Sequence, residues 1–346
     1  MKKLLSLFLM VSIGLAVQAQ KDGESPFMTK SFGNQSIKKV KSETSGGNIT
    51  VTSVPAAEAR VEVYVHTSDG RNKSLSKDEI QKRLTEDYDL TVAVSGNELS
   101  TIARSKKRNL DWKKALSISF KIFVPREIST DLTTSGGNIS LSDLAGTQEF
   151  TTSGGNLVVE KIKGKINGTT SGGNIVVSNC DNDIDLTTSG GNVTADKCTG
   201  KMKLVTSGGN VKMTALNGEV DASTSGGNVV ASDIHGELEA HTSGGNVNMR
   251  DLACSVETST SGGHIEVAIV ELGKYVKVSN SGGNIDIQLP ANKGLNLKIT
   301  GDKVKMDKLE NFSGTIEEDE VNGKLNGGGT EVTVRGGSGR VNLRWK

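Results

Sequence analysis

Aromatic residues are scarce in this chain. Phe, Trp and Tyr make up 3% of its 346 residues, with only four prolines and three cysteines. A compact domain leans on aromatics to fill one thick core, so a core of that kind is not expected. Three cysteines, an odd and low number, do not make a disulfide framework. The 41 Lys+Arg against 40 Asp+Glu leave a net charge of +1, which removes any bulk electrostatic case for nucleic acid. Beyond the N-terminus no apolar run is long enough for a membrane helix.

Glycine is what the chain has in quantity, 42 residues against 34% apolar ones. Small and medium aliphatics around many glycines suit a thin, continuous core. At the N-terminus Lys2 and Lys3 precede the apolar stretch Leu4 to Val17, and Val17 and Ala19 are small residues at cleavage positions. That reads as a signal peptide over 1–19 with a mature start at Gln20. No cysteine follows the run, which argues against a lipid anchor.

Internal repetition decides the fold. Ser-Gly-Gly recurs at Ser135, Ser153, Ser171, Ser189, Ser207, Ser225, Ser243 and Ser261, every 18 residues, and again at Ser281 after a step of 20. The longer step places a two-residue insertion near Leu272 to Tyr275. Ser45 lies 90 residues before Ser135, five steps of 18, with nothing repeating between them, so its place stays open.

Counting each Ser as position zero, position four is always Ile, Leu or Val, as in Ile139, Val193 and Ile265. Positions six, nine, thirteen and fifteen are also largely apolar, with Leu144, Cys180, Cys198 and Val270 at nine. Alternation within short runs is the period of strands. Helices would need spacings of three and four, and glycine there costs about 1 kcal/mol each. The pair at positions one and two, such as Gly190 and Gly191, is expected to form a corner with φ > 0. Gly146, Gly164, Gly200, Gly218 and Gly236 at position eleven, with Asn182 once, mark a second corner.

Each unit is thus strand, turn, strand, turn. The fold expected is an all-β, single-stranded, right-handed parallel β-solenoid (β-helix) with 18-residue coils, the hand following the usual crossover rule. Asn138, Asn156, Asn174, Asn192, Asn210, Asn228 and Asn246 at position three, then His264, should stack as a ladder of side-chain amides. Thr134 to Thr260, each just before its Ser, form a second polar column.

The flanks read as caps, which an open solenoid end requires. Residues 20–42 form a polar linker. Residues 43–130 form a β-rich N-terminal cap with one short helix over Ser76 to Leu84, where Ser76 and Glu79 suggest a capping box. The repeats occupy 131–290, closed by Leu289-Pro290, and 291–346 carries degenerate coils and a C-terminal cap ending near Trp345.

The tandem units, such as Thr152-Ser153-Gly154-Gly155-Asn156-Leu157 and Thr224-Ser225-Gly226-Gly227-Asn228-Val229, resemble the bacterial "putative adhesin" family of β-strand-repeat domains, also described as a domain of unknown function. The resemblance covers roughly residues 40–346. It implies a parallel β-solenoid in an extracytoplasmic setting and brings no site residues with it.

Candidate chemistry is sparse. Calcium-binding β-rolls need an Asp in each glycine-rich turn, and Ser-Gly-Gly-Asn has none. Glu219, Asp221, Glu237, Glu239 and Glu257 gather at positions twelve and fourteen of neighbouring units. They form either a lateral cation- or glycan-binding patch or a solvated strand face of mixed charge. His66, His235, His241 and His264 are scattered, and no metal or other cofactor is implied. Cys180 and Cys198 share position nine on adjacent coils, where parallel Cβ vectors favour free thiols over a bridge. Arg104 to Lys114, around Trp112, is the most basic run. The function expected is a non-catalytic adhesion or structural role in the periplasm, at the cell surface or in secreted form, toward an envelope or extracellular polymer or protein. The alternative is a polysaccharide-binding or polysaccharide-processing β-helix.

Overall fold

The computed structural model describes residues 25–67, 76–107, 115–307 and 310–346. Residues 1–19, read as a signal peptide, and Arg108 to Lys114 of the basic run lie outside them. The described chain is all-β and solenoid-like, with one α-helix, Lys77–Asp87. Ser76 Oγ accepts the Glu79 N–H at 3.2 Å, as the capping motif predicted. Glu79 itself turns away and accepts from Arg83 Nε at 2.8 Å, so only half of the capping box forms.

Alternation does the work expected of it. Strands such as Leu157–Glu160 and Ile166–Thr170 bury every second side chain. They pair in parallel with the strands 18 residues on: Leu157 meets Ile175 and Ile166 meets Ile184. The position-four residues therefore stack into one column that runs beyond the repeats at both ends. In spatial order it is Phe120, Ile49, Ile139, Leu157, Ile175, Val193, Val211, Val229, Val247, Ile265, Ile285, Val341 and Val304. All are buried. At about 4.8 Å per step the column is about 58 Å long, and each buried aliphatic contributes about 1.5–3 kcal/mol.

That order is not the chain order. Coil 39–53 is sandwiched between the strands Glu98–Ser105 and Leu116–Val124 on one side and coil 129–142 on the other, pairing in parallel with both. Ser45 is therefore a true rung of the array. Its spacing of 90 residues matches five coils, yet Ser135 is its immediate neighbour. The other end repeats the device. Coil 330–345 lies between coil 275–289 and coil 295–306, again parallel to both. Leu289-Pro290 therefore ends the sequence repeat without ending the stack. Antiparallel strands cover the outermost rungs, Arg60–Thr67 and Tyr88–Ser95 at one end and Glu320–Leu325 at the other. The stretch 20–42, expected to be a loose linker, holds the strand Met28–Ser31 and the start of Lys39–Thr44.

The Gly-Gly corner forms for a different reason from the one expected. Neither Gly190 nor Gly191 has positive φ. The second glycine is required by close stacking: a Cβ on Gly191 would run into the carbonyl of Gly173 one rung below, and the same holds along the column from Gly137 to Gly283. A Cβ on Gly190 would meet nothing nearer than 3.7 Å. Left-handed backbone sits at the other turn. Position eleven has it as expected, from 104° at Gly236 to 137° at Gly218, with Asn182 at 86°. Position eight has it too: Asp143, Lys161, Asn179, Lys197, Ala215, Asp233 and Asp251 all lie between 52° and 58°.

The Thr column is buried and carries the corner. Thr188 Oγ1 accepts the Gly191 N–H at 3.3 Å and donates to the Gly173 carbonyl at 2.8 Å. The other repeats copy both bonds. Where Thr gives way to Asn280, the amide reproduces them, accepting from Gly283 N at 3.1 Å and donating to Gly263 O at 2.7 Å. The Asn ladder is exposed and links mainly side chain to backbone, with one amide-to-amide bond, from Asn192 Nδ2 to Asn174 Oδ1 at 3.4 Å. Each Oδ1 accepts the backbone N–H of the next rung's residue at 2.8 Å, from Asn48–Asn138 to Asn246–His264.

One core assignment shifts. In the unit from Ser261 the register slips, Leu252 pairs with Ile269, and Val270 is 40% exposed. Ile269 fills the place assigned to Val270. The expected two-residue insertion follows, between the pairs Cys254–Leu272 and Val256–Val276.

Candidate interaction face

Outward positions twelve and fourteen of the second strand carry the acidic residues. Register places Glu219 beside Glu237, Asp221 beside Glu239, and Glu239 beside Glu257. The four candidate residues are thus brought together on two adjacent rungs. The patch has cationic borders. Lys201 Nζ donates to Glu219 Oε1 at 2.7 Å, and Lys277 Nζ donates to Glu257 Oε2 at 2.8 Å. His241 lies between, with Nε2 3.0 Å from Glu239 Oε1 and Nδ1 2.8 Å from Ser259 Oγ.

Tyr275 belongs to the inserted residues and was not singled out from sequence. Its hydroxyl reaches back across the Ser255 rung and donates to Glu237 Oε1 at 2.8 Å. Lys277 Nζ stands 4.7 Å from the centre of its ring. Burial, and then the Glu237 carboxylate, push the Tyr275 hydroxyl up to about 12. The longer step at Ser281 was the signal that something departs from the plain coil here.

These carboxylates stand on an extended strand face, with Glu219 and Glu239 side chains 61% and 57% exposed. Exposed charge pairs of this kind are screened by water and add little to stability. What the arrangement offers is a mixed-charge strand face of acids flanked by Lys, His and Tyr.

Other candidates do not join it. His235 bonds Asp233 at 3.2 Å and His264 bonds Asp286 at 3.1 Å, on separate parts of the surface. Cys180, Cys198 and Cys254 are buried free thiols. A hydrogen bond from the Cys198 side, with burial, raises Cys180, and burial raises Cys254 to about 12. In the basic run Arg104 bonds Glu43, Lys107 bonds Asp87, and Lys106 donates to the Thr85 carbonyl at 2.7 Å. The N-terminal cap shows an outward aromatic pair that sequence reasoning passed over. The Arg60 guanidinium lies 3.8 Å from the Phe123 ring centre, and Lys121 lies 4.8 Å from that of Tyr64.

Residues 182–344 match the Toastrack family, described as DUF4097. The Toastrack match takes in the later repeats and nearly all of the C-terminal coil threaded between its neighbours. The resemblance read from the repeats therefore stands, to an adhesin-like domain of unknown function. Similar solved structures include a "putative cell adhesion protein" from Clostridium sporogenes, 11% identical, covering 92% of this chain and 98% of that one with a TM-score of 0.19. Another is a "putative adhesin" from Bacteroides fragilis, 16% identical, covering 91% and 96% with a TM-score of 0.23. No curated protein matches the sequence.

Proposed function

We propose that this chain is an exported, non-catalytic β-solenoid that acts by adhesion or structural interaction with an envelope or extracellular polymer or protein. In this reading residues 1–19 direct export, the right-handed 18-residue coils of 131–290 supply the rod, and 43–130 and 291–346 seal its ends. The observation that carries it is the stacked array itself. Its backbone and Thr side chains are satisfied rung to rung, which leaves regular polar columns as the outward surface. Such a surface binds by repetition of weak contacts, and linked contacts raise avidity without any single deep site.

Tyr275 beside Glu237 favours a second reading, a polysaccharide-binding or polysaccharide-processing face that includes Glu219, Asp221 and Glu239. A binding screen against glycans and matrix proteins with the chain from Gln20 onward separates the two. Adhesion predicts saturable binding with the polymer recovered intact. Shortened polymer that is no longer produced by Glu237→Gln would establish the second reading. Binding to nothing in either class would defeat both. N-terminal sequencing of the exported protein checks the Gln20 start.

A further inference from the structure

Coil 330–345 is the last stretch of the chain, yet it is not the last rung. It fills a slot whose two walls, coil 275–289 and coil 295–306, are consecutive in sequence. Its inward residues Val332, Val334, Val341 and Leu343 are fully buried. Backbone pairing runs along both edges, and Arg340 N donates to Asn284 Oδ1 at 3.0 Å, the same bond that Asn makes throughout the repeats. The slot therefore recognises a generic coil of this protein. Nothing in its pairing requires that coil to come from the same molecule.

A short turn leads into the coil from the preceding strand of its own chain. Asn326, Gly327 and Gly328 turn back with φ of 49°, 85° and 92°. Asn326 Nδ2 clasps the turn, donating to the carbonyls of Ala291 and Lys293 at 2.9 Å each. A short glycine-rich turn leading into an element that pairs as a unit is the geometry of a hinge for element exchange. Whenever the coil is out, two long unpaired strand edges face each other, the condition that natural proteins avoid leaving open.

We infer that coil 330–345 is exchangeable, and that the slot between coils 275–289 and 295–306 is an interaction surface for the same coil of a second copy. Reciprocal exchange gives a closed dimer. One-way exchange gives open chains of rods, multiplying whatever surface each rod presents. This holds whichever ligand the faces take.

Full chains carrying Asp286→Cys and full chains carrying Asn342→Cys test it. These positions pair across the slot wall, and Asn342 Nδ2 donates to Asp286 Oδ1 at 2.9 Å. The native cysteines are at most 2% exposed. The two proteins are mixed at high concentration, partly denatured, returned to native conditions and treated with a short bismaleimide. Exchange predicts a covalent cross-chain product and a doubled mass by light scattering. Asn326→Ala, which removes the clasp, should raise that product several-fold, and so should Gly328→Val, which forces a branched residue into left-handed backbone. If neither the unaltered hinge nor Asn326→Ala yields cross-chain product, while one chain bearing both cysteines cross-links internally, the inference is wrong.

Discussion

Replacing each glycine of one corner by alanine separates the stacking account of the Gly-Gly pair from a conformational one. A Cβ at Gly191 would overlap the Gly173 carbonyl and lie 2.7 Å from Asn174 N. Rung separation would have to open, an overpacking cost of about 1–3 kcal/mol. It would also strain two buried bonds, from Gly191 N to Thr188 Oγ1 and from Thr206 Oγ1 to Gly191 O, at about 1 kcal/mol each. Gly191→Ala should therefore destabilise by about 3–5 kcal/mol. At Gly190 the nearest atoms are Ser171 O at 3.7 Å and Gly172 Cα at 3.9 Å, ordinary contacts, and φ is not positive. There alanine mainly restricts the unfolded chain and should stabilise by about 0.4–1 kcal/mol. Urea denaturation gives both values, and native-state hydrogen exchange at the neighbouring amides localises the damage. Equal losses at the two positions would refute the stacking account, as would a larger loss at Gly190.

Thr188→Val keeps shape but leaves the Gly191 N–H and the Gly173 carbonyl unpaired in the core, and should cost about 2–3 kcal/mol by urea midpoint. Ala215, at φ 53°, is an apolar side chain in left-handed backbone. Ala215→Gly should stabilise by about 0.5–1 kcal/mol, the relief of strain less the extra chain entropy of glycine. Ultraviolet titration should find one tyrosine, lost in Tyr275→Phe, ionising near 12. Because that value is raised by folding, its contribution to stability is complete below pH 10 and fades as pH rises from about 10 through 12. A Tyr275 that titrates with free tyrosine would show that neither its burial nor its hydrogen bond to Glu237 persists.

The repeat was legible because each column obeys one local constraint. Val and Ile at position four, Cys180 and Cys198 at nine, and the glycines at eleven each sit where one coil dictates them. Ser76 likewise announced its helix within four residues. What stayed hidden depends on contacts between coils. Gly191 is required by a carbonyl 18 residues earlier, which no reading of the turn itself reveals. Position eight accepts Asp, Asn, Lys and Ala alike, so its left-handed backbone leaves no compositional mark. Val270 lost its inward place to Ile269 through a slip that conserves the apolar pattern. The acidic candidates were grouped correctly because in-register stacking maps sequence columns onto space. Tyr275 was missed because an insertion breaks that map.

The two threaded coils, each one rung in from an end of the stack, close much longer loops than the units between them. Asn48 meets its ladder partner across 90 residues and Arg340 across 56, against 18 within the repeats. By loop entropy these closures cost about 1.4 and 1.0 kcal/mol more than a repeat step. Order should therefore start in the middle and reach the ends last, against the direction in which the chain is made. The same arrangement makes rod length a free variable. An 18-residue unit gained or lost near Ser189 lengthens or shortens the stack by one step of about 4.8 Å and leaves both locked ends as they were.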